Sequence, residues 1–98
     1  MKPTRSETNF IIDAILEFIP VKIEIYFAGS RISGSARASS DLDILIKGTA
    51  PIDLTSLSQI KEKFEESNLP FKVDVLDYHR CSPQMIKNIS KNMCKVYP

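Results

Sequence analysis

A chain of 98 residues has room for one domain, so residues 1–98 are read as a single unit with a limited core, whose stability is modest or shared with a partner subunit or second copy. Apolar residues make up 43% and charged residues 26%, an ordinary balance for a globular chain, and a net charge of +1 argues against a general nucleic-acid binder, although Lys/Arg gather loosely around Arg31–Arg37 and Lys87–Lys95. No apolar run is long enough to span a membrane, and MKPTRSETNF lacks the apolar segment of a signal peptide, so a cytoplasmic protein with no membrane role is expected.

Ser6-Glu7-Thr8 offers capping residues, and Phe10, Ile11, Ala14, Ile15 and Phe18 follow at helical spacing, which predicts a helix over 7–18 ended by Pro20. Val21 to Phe27 alternates with period two, the pattern of a strand with one buried face, and runs out at Ala28-Gly29-Ser30. Residues 30–40 are small and polar around Gly34, either a helical turn plus loop or loop throughout. Leu42 to Ile46 reads as a second, mostly buried strand closed by Gly48. A helix is expected over 53–67, with Asp53 as N-cap and Leu54, Leu57, Ile60 and Phe64 on one face, ended by Asn68 and Pro70.

Phe71 to Asp77 forms the third predicted strand. Ser82-Pro83 opens a last helix, proline being suited to the first helical position, and Met85, Ile86, Ile89 and Met93 supply its apolar face. The lysines between 87 and 95 read as solvated surface. Cys81 and Cys94, with the lone His79, match no common zinc-ligand spacing and are expected as reduced thiols. The order of elements predicts an α/β (α+β) fold, with helices packed on a small mixed sheet.

The chemistry concentrates in Gly29-Ser30-Arg31, followed after nine residues by Asp41-Leu42-Asp43. On a strand Asp41 and Asp43 project to one side, with Leu42 on the other. Two carboxylates so close repel each other, and a hard cation such as Mg²⁺ relieves that repulsion by taking one or two carboxylates together with substrate phosphates. Gly29 lets backbone N–H groups approach a phosphate, Ser30 adds a hydroxyl donor, and Arg31 carries a neutralising charge. A third ligand would come from FKVDVLDY, where Asp74 and Asp77 lie on opposite faces of the strand and only one can share the metal. Asp74 is the candidate, because a carboxylate between Val73 and Val75 most needs a compensating cation. Each part alone has a plainer reading: Asp-x-Asp also occurs on solvated strand edges, and Gly-Ser after a strand is commonly a turn.

Residues 29–44, GSRISGSARASSDLDI, resemble the signature of the minimal nucleotidyltransferases of the DNA polymerase β-like superfamily. That signature runs Gly-Ser-Arg-x-x-Gly-x-Ala-x-x-x-Ser-Asp-x-Asp followed by an apolar residue, and every fixed position is met. The resemblance spans residues 20–95 and implies a palm-type fold. It also implies that Asp41, Asp43 and Asp74 bind two Mg²⁺ ions (or Mn²⁺) and carry catalysis, and that Gly29, Ser30 and Arg31 bind the triphosphate of ATP. Many members carry a basic residue where this chain has Ser33, while Arg37 keeps a frequent basic position. The resemblance further implies a helical HEPN-type partner in a toxin–antitoxin pair, with a nucleoside monophosphate, AMP from ATP, passed to a hydroxyl on that partner. The alternative is a non-catalytic antitoxin subunit that binds nucleotide or inhibits its partner by occlusion.

Overall fold

The computed structural model describes residues 3–29 and 41–98. The loop expected at 30–40 therefore lies outside the described residues. The first helix, α1 (Arg5–Phe18), begins earlier than its apolar spacing suggests. Thr4 is the N-cap: its Oγ1 accepts from the Glu7 N–H at 3.1 Å, and Glu7 Oε1 accepts from the Thr4 N–H at 2.7 Å. This capping box satisfies two otherwise orphaned donors and outcompetes the Ser6 start.

The chain then forms β1 (Ile23–Ala28), β2 (Leu42–Gly48), α2 (Leu54–Glu65) and β3 (Val73–Asp77). A short 3₁₀ turn (Tyr78–Arg80) leads to α3 (Pro83–Ser90) and β4 (Cys94–Tyr97). Asp53 caps α2 as expected, accepting from the Ser56 N–H at 3.1 Å. Ser82 caps α3 in the same way, accepting from the Met85 N–H at 3.2 Å, with Pro83 opening the helix. The sheet runs β3-β2-β1-β4 and is mixed: β1 pairs antiparallel with β2 and β4, whereas β2 and β3 are parallel.

Period-two alternation sorts the sheet into two faces. Ile23, Ile25 and Phe27 of β1, Leu42, Ile44 and Ile46 of β2, and Val75 of β3 are buried together. They pack with Ile11, Ala14 and Ile15 of α1 and Leu57, Ile60 and Phe64 of α2. Each of these isoleucine, leucine, valine and phenylalanine side chains contributes about 1.5–3 kcal/mol by leaving water. The opposite face carries Glu24, Tyr26, Asp43, Lys47, Asp74 and Leu76, all at the intervening positions.

The chain's end departs from expectation. The last helix stops at Ser90, so Met93 lies beyond it, and Cys94–Tyr97 adds a fourth strand beside β1. Four residues are too short to show alternation, and pairing with β1 rather than local pattern makes them a strand. Lys87 and Lys95 are exposed, as a solvated surface requires, and both cysteines are free.

Candidate functional site

Gly29 follows the last residue of β1 with φ of +95°, a backbone region that side chains with a Cβ rarely adopt. The turn presses it against the start of β2. A Cβ at this position would stand 3.2 Å from Asp43 Oδ2 and 3.3 Å from the Asp41 carbonyl oxygen. Glycine is thus needed for the conformation and for the close approach. Ser30 and Arg31, the other expected phosphate-binding residues, lie outside the described residues.

Asp41 immediately precedes β2, and Asp43 is its second residue. Ala28 stands opposite Asp43 across the β1–β2 pair, and Asp43 stands opposite Asp74 across the parallel β2–β3 pair. The end of β1 and the two carboxylates therefore lie side by side across three neighbouring strands. Asp43 and Asp74 alternate with Leu42, Ile44 and Val75, so both carboxylates lie on the face opposite to the core that packs on α1 and α2.

Crowding has an electrostatic consequence. Partial burial pushes the Asp43 carboxyl above the usual carboxylate range, and the charges of Asp74 and then Asp41 push it further the same way. Asp43 thus sits in the field of both Asp74 and Asp41. Among the described residues no three carboxylate, imidazole or thiol groups close into a ready-made metal cage. The donor set fits an ion that takes one or two carboxylates and completes its shell with phosphate oxygens and water, as Mg²⁺ does.

Asp77 has a different place. It is only 4% exposed, on the face opposite to Asp74, where it accepts from the Ile52 N–H at 2.9 Å and the His79 N–H at 3.1 Å. The Arg80 guanidinium donates to it at 2.6 Å and to the Ile52 carbonyl at 2.6 Å. Asp77 and Arg80 together latch the segment entering α2 onto the end of β3. The Asp-x-x-Arg spacing was the only sequence signal of that latch. His79 is likewise occupied, its Nε2 lying 2.7 Å from the Gly48 carbonyl oxygen.

Residues 12–97 match the family model described as Polymerase beta, Nucleotidyltransferase. The chain is 36% identical over 87 residues to the probable protein adenylyltransferase MntA of Haemophilus influenzae, across 89% of this chain and 76% of that protein. A crystal structure of a toxin–antitoxin with AMP-PNP is similar with a TM-score of 0.77 at 25% identity, over 90% of this chain and 70% of the other. The fold also matches a structure of a tri-AMPylated Shewanella oneidensis HEPN toxin in complex with an MNT antitoxin, with a TM-score of 0.70 at 23% identity over 90% and 66% of the two chains. Among the described residues no helix is long and apolar enough to cross a membrane. With its match over almost the whole chain, a glycine turn on β1, and aspartates aligned on β2 and β3, the chain belongs to the polymerase β nucleotidyltransferase family.

Proposed function

We propose that the chain transfers AMP from ATP to a hydroxyl of a HEPN-type partner protein, as the antitoxin-like half of a toxin–antitoxin pair. The observation that carries this reading is the alignment of Asp43 with Asp74, its carboxyl crowded by both Asp74 and Asp41. Holding the Asp43 carboxylate charged beside Asp74 and Asp41 is costly to the fold, and a divalent cation is the counter-charge that relieves the cost. Similarity to an adenylyltransferase and to a toxin–antitoxin holding AMP-PNP supports ATP as the donor and a protein as the acceptor.

Asp41, Asp43 and Asp74 would hold the Mg²⁺ ions, which when bound neutralise charge on the transferring phosphate and its leaving group. Ser30, Arg31 and the Gly29 backbone would hold the β- and γ-phosphates. The acceptor oxygen attacks the α-phosphorus in line, and the bond from that phosphorus to the β-phosphate's bridging oxygen breaks. Pyrophosphate departs, and the hydroxyl proton passes to one of the aspartates or to water.

The test is transfer of label from ATP carrying it on the α-phosphate, with Mg²⁺ and the HEPN-type partner present. Wild type should attach label covalently to the partner. Asp41→Asn should still bind the partner and transfer nothing. Equal inhibition of the partner by wild type and Asp41→Asn, with no label moved from any common nucleoside triphosphate, would establish occlusion instead.

A further inference from the structure

We propose that the open edge of β3 is the docking strand for the acceptor: an extended segment of the partner pairs with Lys72–Leu76 and so brings its hydroxyl side chain to Asp43 and Asp74. This rests on the transfer reading above and adds how the acceptor is held. β3 ends the sheet, with β2 on one side and, among the described residues, no strand on the other. The Leu42 N–H donates to the Lys72 carbonyl at 2.9 Å, which sets the alternation of a parallel ladder. Residues 72, 74 and 76 turn their backbone groups toward β2, so Val73 and Val75 turn theirs outward.

The two edges of the sheet are treated differently. β4 is four residues long, carries the exposed Lys95, and is followed by Pro98, the usual devices that keep another strand from adding. β3, VDVLD, has no proline, and its neighbouring lysine, Lys72, stands before its first residue. Instead it lies in a groove of about 680 Å³ between α2 and α3. Phe64 and Leu69 wall one side, and Met85 and Ile89 of α3 the other. Met85 is 44% exposed, and no residue of α3 is fully buried, so this amphipathic helix offers apolar surface to an occupant.

Asp43 and Asp74 line the same groove. A strand added to this edge would lie about 4.8 Å from β3, and a residue opposite Asp74 would hold its Cβ about 5 Å from the Cβ of Asp74, on the same face. Alternate side chains would rest on the apolar walls. Outward donors and acceptors repeated at strand spacing suit a peptide backbone, the recognition mode of strand addition.

Amide hydrogen exchange of the free chain and of its complex with the unmodified HEPN-type partner tests this directly. The Val73 and Val75 amides should slow about tenfold or more in the complex, while Asp74 and Leu76, already bonded to β2, change little. Val73→Pro removes one outward N–H at the first residue of an edge strand, where proline is tolerated. It should raise KM for the partner by about three- to tenfold, the worth of one hydrogen bond, and leave AMP-PNP affinity unchanged. Met85→Lys, on an exposed helix face, should do the same without touching the sheet. Unchanged exchange at Val73 and Val75 in a formed complex would overturn the proposal. So would loss of AMP-PNP affinity in Met85→Lys at unaltered KM for the partner, which would give the groove to the nucleobase. Absence of transfer by wild type would remove the enzymatic reading alone, since the exchange measurement still decides the docking.

Discussion

The surroundings of Asp43 oppose its charge. Its carboxyl is raised by burial and by Asp74 and Asp41, so the fold binds that proton more tightly than the unfolded chain does. The contribution of the protonated group to stability is fully present below its unfolded pKa and is lost as pH rises through the elevated folded value. Asp43→Asn should therefore raise the melting temperature at pH 7, and the gain should shrink as pH falls toward 4, measured by thermal unfolding without metal. Gly29 makes the complementary case. Alanine there must adopt φ of +95°, at a cost of about 1–2 kcal/mol, and its Cβ meets Asp43 Oδ2 at 3.2 Å. Gly29→Ala should lower stability by that amount and weaken AMP-PNP binding in calorimetry, because the strained turn and the displaced carboxylate are adjacent.

The short connections between elements are held by particular polar contacts, and the Asp77 latch is the most demanding of them. Its buried carboxylate satisfies the Ile52 N–H and holds Arg80, whose side chain is 41% exposed. Asp77→Ala leaves the Ile52 donor unpaired but lets Arg80 reach water, so the expected loss is about 1–3 kcal/mol. Chemical denaturation should show this as a lower midpoint, with label transfer retained wherever the variant stays folded. Asp77 was separable from Asp74 in the sequence because the two lie three residues apart on a strand and so face opposite ways. Most elements were legible for the same kind of reason: Phe10, Ile11, Ala14 and Ile15 repeat at helical spacing, and Ile23, Ile25 and Phe27 alternate. β4 was not, because Cys94–Tyr97 becomes a strand only by pairing with β1. The groove was not either, because α2, β3 and α3 meet in space and leave no periodic mark.

For the whole molecule, the position of the acidic site across three strands ties ligand binding to global stability. An ion or nucleotide bound only by the folded chain stabilises it by mass action, about 2.7 kcal/mol at a hundred times Kd. A domain of this size gains about 4–8 °C per kcal/mol. AMP-PNP with Mg²⁺ or Mn²⁺ should accordingly raise the wild-type melting temperature by about 10–20 °C at that concentration. The informative quantity is the shift, because the substitutions move the starting point in opposite directions. Asp43→Asn begins above wild type for the electrostatic reason given and should lose most of the shift. Asp74→Asn should also lose most of it, since its carboxylate stands opposite Asp43 on the same face. Asp77→Asn should begin below wild type, its contact with Arg80 weakened, yet keep the full shift because it lies on the core side of β3. A full shift in Asp74→Asn together with its loss in Asp77→Asn at a temperature where that variant is folded would replace Asp74 as the third metal ligand.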